Sequence, residues 1–199
     1  MKDKKNNNST KSLLNFIAEA GMLKQVSRSG WTVLGIKDPE SVAEHSFRCA
    51  VLGYLLASLE KASSYRVLLM TLFGDMQEAR ITDLHKMAQK YINIKKPENK
   101  VFVQQIKNLP EPLKKELETM RREYNEQKTK ESIISRDADI LECLIQAKEY
   151  QEYGFKQASN FMKKAPFFLK TKSAKRLWFK AKTTKSTLWW FALSDFKRI

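Results

Sequence analysis

Acidic and imidazole side chains occur at four places in this sequence where solvation alone does not account for them. These are Glu44-His45, Asp75 with Glu78, Asp83 with His85, and Asp137 with Asp139. Hard divalent cations take carboxylate oxygens, and borderline ions accept imidazole as well. A mixed His/Asp set drawn from several helices is how bundles build metal sites in their cores. A cation held this way lowers the pKa of a water and offsets developing oxyanion charge, which makes phosphate esters natural substrates. Spacing alone leaves a second reading open, with His45 a hydrogen-bonded core residue and Glu78 and Arg80 an ordinary exposed pair. Asp137 and Asp139 are two apart on one helix and point about 200° from each other, so at most one of them faces a common centre.

The elements that must position these groups read as helices. Asp38 as N-cap and Pro39 at the first position predict a helix to about residue 59. Val42, Cys49, Leu52 and Leu56 lie on one face of it at steps of three and four, and His45 falls on that face. The run "YRVLLMTLF" predicts a central helix over about 64–75 that delivers Asp75 at its end. A short helix or turn carries Glu78 and Arg80, a further helix is expected over about 83–91, and "NIKKPENK" reads as a loop. Helices over about 99–107 and, opened by Pro110 and Pro112, to about 127 come next. "TKESIISRDADILECLIQAKEYQEYG" is a long helix stopped by Gly154. Two more are expected at about 156–164 and 173–182. Upstream, a short helix covers about 12–23, and "SRSGWTVLGIKDPES" reads as a loop.

Glycine and proline are scarce, at 6 and 5 in 199 residues, which points to an all-α fold. A hydrophobic content of 42% and a charged content of 30% suit a soluble globular chain. The expected organisation is a disordered polar tail over 1–10 and a single helical domain over 11–199, with a basic helical extension over about 156–199. A net charge of +15 draws anions, whether nucleotides, nucleic acid or acidic membrane. Between Glu152 and Asp195 there is no acidic residue. There "KKAPFFLKTKSAKRLWFKAKTTK" interleaves aromatics with lysines, a pattern that can grip single-stranded nucleic acid. The favoured reading is an amphipathic helix docking Phe167, Phe168, Leu177, Trp178 and Phe179 on the body, with "LWWF" as an apolar plug. Cys49 and Cys143 read as reduced core residues of a cytoplasmic protein. The start shows no signal peptide, and no apolar run approaches the roughly 20 residues that span a bilayer, so no membrane partner is expected.

Gly30-Trp31, "PESVAEHSFR" at Pro39–Arg48, "LFGDMQEARITDLHK" at Leu72–Lys86 and "RDADILECLIQAKEY" at Arg136–Tyr150 occur in order at compatible spacing. From about Leu13 to Trp190 the chain resembles the HD-domain metal-dependent phosphohydrolases, in the branch of small archaeal and bacterial proteins similar to 5′-deoxynucleotidases. The resemblance implies an HD-type helical bundle, a homodimer, and a divalent cation (Mn, Co, Mg, Zn, Ni or Fe) between central helices. Carried over by position, His45, Asp75 and Asp139 hold the cation. Glu78 acts on the attacking water or the leaving group, and Asp83 is a further acid lining the pocket. Arg28 and Trp31 match the loop that approaches phosphate and sugar, with Arg80 a second cation for the phosphate; Trp31 reads equally as a loop anchor in the core. The implied activity is phosphate release from (deoxy)nucleoside monophosphates. The alternative is a degenerate HD protein that binds nucleotide, or nucleic acid through its basic surface.

One position departs from the pattern. The residue before Asp75 should be a histidine, and it is Gly74. Three protein ligands plus waters still make a catalytic site. The loss should weaken metal binding, since even one supporting partner is worth about 10–100-fold. It should also leave a void or a water site where an imidazole would sit. His85, the other histidine, follows the family pattern without metal duty. A weakened active site, a binding-only relative and an introduced substitution are the three readings of Gly74.

Overall fold

The computed structural model describes residues 2–193. The described residues form α1 (Lys2–Met22), α2 (Ser29–Thr32), α3 (Val42–Leu59), α4 (Ser64–Leu72), α5 (Glu78–Ile81), α6 (Lys95–Ile106), α7 (Glu111–Glu126), α8 (Lys130–Glu152), α9 (Phe161–Lys164), α10 (Lys172–Ala181) and α11 (Leu188–Leu193). The all-α expectation holds: the only β pairing among the described residues is an isolated bridge between Ser27 and Ser41.

Capping chemistry sets the helices that matter. α3 starts at Ser41, not at Asp38-Pro39. Ser41 Oγ accepts from the Glu44 N–H at 3.2 Å, and the Glu44 carboxylate accepts from the Ser41 N–H at 2.6 Å. This reciprocal box satisfies two otherwise orphaned donors, which an Asp-Pro start cannot do. α8 is opened by a Thr129–Ser132 box, and Gly154 follows its end at φ 104°, the left-handed conformation expected of a helix stop. α3, α4 and α8 pack into the central layer, where Leu56, Val67, Ile134, Ala138, Leu141 and Leu144 are buried together. Gly53 allows α3 and α4 to approach. A Cβ there would sit 2.9 Å from Thr71 Cγ2 and 3.0 Å from Val67 Cγ1, so only glycine fits without displacement.

Several boundaries differ from the sequence reading. α1 begins at Lys2, so residues 2–10 extend the helix expected from 12. No Gly or Pro interrupts them, and lengthening an existing helix costs far less than nucleating one. α4 ends at Leu72, three residues short of Asp75. The Phe73 N–H still bonds the Leu69 carbonyl at 3.0 Å, after which the chain turns through 74–77 into α5. Residues 83–87 lie outside any helix, and only a 3-10 turn at Ala88–Lys90 follows; Thr82, at φ 61°, breaks the path. α6 begins inside the expected loop at Lys95 and carries Pro97 in its first turn, where a missing N–H is no loss.

The C-terminal extension docks differently from the expectation. Trp178 is buried and Leu177 packs beside it, but Phe167, Phe168 and Phe179 face solvent. "LWWF" is no plug: Leu188, Trp189, Trp190 and Phe191 are all exposed. The alternation of lysines with aromatics matches one helix face only in part, and the structure buries the Ser173–Ala174–Trp178 side. Residues 194–199 of the expected extension lie outside the described residues.

Candidate metal centre

His45 enters the centre of the fold on the buried face of α3, at 1% exposure. Its two ring nitrogens have different neighbours. Nδ1 bonds the Glu142 carboxylate on α8. Nε2 lies 3.6 Å from Asp75 Oδ2 and 3.3 Å from Asp139 Oδ1. The three residues predicted as ligands therefore meet: α3 brings the imidazole, the turn after α4 brings Asp75, and α8 brings Asp139. Asp137, two residues earlier on α8, faces the other way. It accepts from the Lys170 N–H at 2.9 Å and from the Thr171 N–H and Oγ1 at 2.6 Å each, tying the start of α10 to α8.

The second layer was not read from the sequence. Glu142 is completely buried, and its other oxygen accepts from Arg48 Nε at 2.9 Å. Arg48 in turn reaches Glu149 at 2.7 Å and also bonds Gln146. Glu142 thereby holds the Nδ1 proton and turns Nε2 toward the two aspartates, where a cation would displace the second ring proton and leave the tautomer that a metal-binding histidine needs. The signal was present: His45 and Arg48 are three apart on α3, and Asp139, Glu142, Gln146 and Glu149 make a polar stripe at helical spacing on α8. Glu40, His45 and Glu142 also place ligand atoms within 4.8 Å of one another. There Glu142 is already committed to Nδ1, and Glu40 accepts from Trp31 Nε1 at 2.8 Å, so the trio serves to orient the ring.

Charge in this region is strongly coupled. Burial works against a charged His45, but Asp139 and Glu142 outweigh it and push its pKa up to about 10. Burial likewise opposes the charge on Asp139, yet its bond to His45 and the nearby Arg136, at 2.8 Å, hold it well below the usual carboxylate range. Glu78 goes the other way. Burial, then Asp75 and Asp83, raise its pKa well above that of a free carboxyl. Its Oε2 is buried without a hydrogen-bond partner. Burial beside this centre of negative charge thus favours the neutral form of Glu78.

The remaining predicted residues separate into two groups. Asp83 accepts from the Ser29 N–H at 2.8 Å and stands 3.9 Å from Arg28. The Arg28 guanidinium is itself held charged by Asp83, Asp75, Asp139 and Glu78 against the cost of its burial, so Arg28 belongs to the centre. Trp31 is 2% exposed and packs tilted against Phe161 and edge-on against Tyr150, at centroid distances of 4.6 and 5.2 Å. It anchors the loop, and no face is left for a sugar or base. The Arg80 guanidinium is held by Glu19 on α1, at 2.8 and 2.6 Å. His85 accepts from the Ala88 N–H at 3.1 Å and caps the 3-10 turn.

Gly74 leaves a cavity of about 10 Å³ whose lining includes His45, Gly74, Asp75, Tyr124 and Asp139. This is room for about one water, as expected where an imidazole is missing. The turn is held from outside by Arg121 on α7, which donates to the Gly74 carbonyl at 2.7 Å and to Gln77 Oε1 at 3.3 Å. One imidazole nitrogen with a fixed tautomer and two carboxylates suit a divalent cation with positions left open for water or substrate.

Comparison with known proteins agrees with this geometry. Residues 20–178 match the family model described as HD domain. Human 5′-deoxynucleotidase HDDC2 is 32% identical over 147 residues, covering 71% of this chain and 70% of its own length. A conserved hypothetical protein from Pyrococcus furiosus superposes with a TM-score of 0.70 at 34% identity, covering 84% of this chain and 96% of its own. A predicted metal-dependent phosphohydrolase from Magnetospirillum magnetotacticum shares the fold, with a TM-score of 0.70 at 20% identity over 88% of this chain and 94% of its own. A buried imidazole facing two aspartates from different helices, in a chain matched over most of its length, leaves one assignment: the protein belongs to the HD-domain family.

Proposed function

We propose that this chain is a metal-dependent phosphohydrolase of nucleotides that releases phosphate from (deoxy)nucleoside monophosphates. The observation that carries the reading is the pair of carboxylates within 3.6 Å of one imidazole nitrogen whose partner nitrogen is fixed by buried Glu142. The name 5′-deoxynucleotidase, borne by relatives about 30% identical, supports the substrate class. His45, Asp75 and Asp139 would hold the cation, which when bound supplies Lewis acidity toward phosphate oxygen and acidifies water. Glu142 keeps the His45 ring in register. Glu78, whose pKa is raised by burial and by Asp75 and Asp83, would serve as the proton donor to the leaving sugar oxygen. Arg28 offsets phosphate charge, and Asp83 positions the Arg28–Ser29 loop. Mn, Co, Mg, Zn, Ni and Fe all accept this donor set. A homodimer, resting on the family resemblance, and a cytoplasmic location, resting on the two free cysteines Cys49 and Cys143, complete the reading.

The competing reading, a degenerate protein that only binds nucleotide or nucleic acid, has less support. A buried carboxyl with an unpartnered oxygen, Glu78, beside the convergent His45, Asp75 and Asp139 favours chemistry over binding alone. The test is phosphate release from a panel of deoxynucleoside monophosphates with added Mn²⁺ or Co²⁺. Asp75→Ala and Asp139→Ala should each abolish it, and Glu78→Gln should lower kcat by about 10²–10⁴-fold. No release with any cation, or release indifferent to Asp75→Ala, removes the proposal.

A further inference from the structure

The C-terminal segment combines two exposed features that a folded chain normally pairs off. Every lysine and arginine from Lys156 to Lys185 is exposed, and none forms a salt bridge among the described residues. On α10 the outward stripe runs Lys172, Lys175, Arg176, Phe179 and Lys180, while Ser173, Ala174 and Trp178 face the body. Large apolar side chains stand in the open beside these cations. Phe167 is 85% exposed, Phe179 is 69% and Trp189 is 68%. α11 is a six-residue helix, LWWFAL, whose Leu188, Trp189, Trp190, Phe191 and Leu193 are all exposed. Between α8 and this segment lies an open cleft of about 580 Å³, with Ile145, Ala181, Leu188 and Trp189 as apolar wall and Lys185 at its edge.

We propose that the face formed by α10, α11 and the cleft between them and α8 docks on the surface of an anionic lipid bilayer. Such a surface answers both features together. Lysine and arginine meet the headgroup phosphates, while Trp, Phe and Leu enter the boundary between headgroups and acyl chains. This is attachment to one leaflet; no helix among the described residues is long and apolar enough to cross a membrane. It departs from the expectation of no membrane partner, which considered spanning segments alone.

Single-stranded nucleic acid would also meet cations and aromatics. But consecutive residues on a helix point about 100° apart, so Trp189, Trp190 and Phe191 cannot form a ladder for successive bases. Leu188 and Leu193 have no ring to stack. Immersion in a bilayer boundary needs no such alignment. A second copy of the chain would bring a face of the same positive sign against this one, a repulsive juxtaposition.

The experiment is co-sedimentation of the full chain with phosphatidylcholine vesicles, with and without phosphatidylserine, alongside tryptophan fluorescence. Trp31 and Trp178 are buried, so a blue shift on binding reports Trp189 and Trp190. The expected result is partition onto the anionic vesicles only, with a blue shift and with release by salt. Replacing Lys175, Arg176 and Lys180 together with glutamine should weaken partition by about 100-fold. Trp189→Ser with Trp190→Ser should weaken co-sedimentation with the anionic vesicles while leaving helicity unchanged. Absence of partition onto anionic vesicles, or partition unmoved by both variants, overturns the proposal. So does an oligonucleotide that binds the basic face while vesicles do not, or a dimer lost in the tryptophan variant without any lipid partition.

Discussion

Glu142→Gln isolates the least exposed part of the centre. The carboxylate is completely buried and serves two donors at once, His45 Nδ1 and Arg48 Nε, the latter at 2.9 Å. Glutamine has the same shape but only one oxygen. Whichever way the amide is turned, its NH₂ group faces one of the two N–H donors, and the charge that balances Arg48 is gone. Breaking a buried ion pair from one side costs about 3–5 kcal/mol. Arg48 keeps Glu149 and Gln146, so the loss should lie near the lower end, about 3 kcal/mol by the same principle. Metal affinity should fall by about 10–100-fold, because the His45 tautomer is no longer enforced. Urea unfolding of the metal-free protein reads the first quantity, and calorimetric titration with Mn²⁺ reads the second. Glu149→Gln, one step further from the imidazole, should change Mn²⁺ affinity by much less. If Glu142→Gln unfolds within about 0.5 kcal/mol of the parent, the spread of a neutral surface change, and binds Mn²⁺ as before, Glu142 does not orient His45.

The other predictions can be checked with the same assays. His45 is pushed up to about 10 in the folded, metal-free protein, above its unfolded value of about 6.5. Its stabilisation is therefore complete below about pH 6.5 and is lost as pH rises through 10, by up to about 1.4 kcal/mol per unit; His45→Gln should flatten that slope in urea midpoints taken across the range. Metal binding displaces the same proton, so Mn²⁺ affinity should rise with pH over that window. Gly74→His should raise Mn²⁺ affinity by about tenfold or more, a reversal of the loss expected for a missing supporting group. It should also cost metal-free stability of about 1–3 kcal/mol, because a Cβ at that position meets the Met70 carbonyl at 2.9 Å. Gly53→Ala should destabilise by a similar amount, about 1–3 kcal/mol, through its clash with Thr71 and Val67, measurable as a lower Tm. Asp137→Asn should weaken the tie to Lys170 and Thr171 and cost about 1.5–3 kcal/mol with kcat unchanged, whereas Asp139→Asn should abolish phosphate release and also lower metal-free stability, because His45 and Arg136 lose the carboxylate they share.

The fold class was legible because it depends on periodicity, whereas the convergence of His45, Asp75 and Asp139 was expected only from the family resemblance. His45 shared the apolar face of its helix, and the spacing of Asp137 and Asp139 allowed one inward aspartate. What escaped was set by tertiary context. The end of α4 is decided by a guanidinium from α7 that takes the Gly74 carbonyl, a partner 47 residues away in sequence. The helix expected over 83–91 gives way because Thr82 turns the chain and Asp83 is used by the Ser29 N–H. Trp31 could have faced either way, and a neighbour as distant as Tyr150 settled it. At the C-terminal end the apolar composition of "LWWF" predicts burial, but on one short helix its four side chains point in different directions and all are exposed.

The back-to-back aspartates of α8 give that helix a particular mechanical character. Asp139 presses toward the imidazole on one side, and Asp137 grips the start of α10 on the other. A roll of the α8 axis would pull both anchors at once, so the helix behaves as a keyed shaft. A displacement of the start of α10 is therefore passed to α8 only about half a turn of backbone from the carboxylate that faces His45.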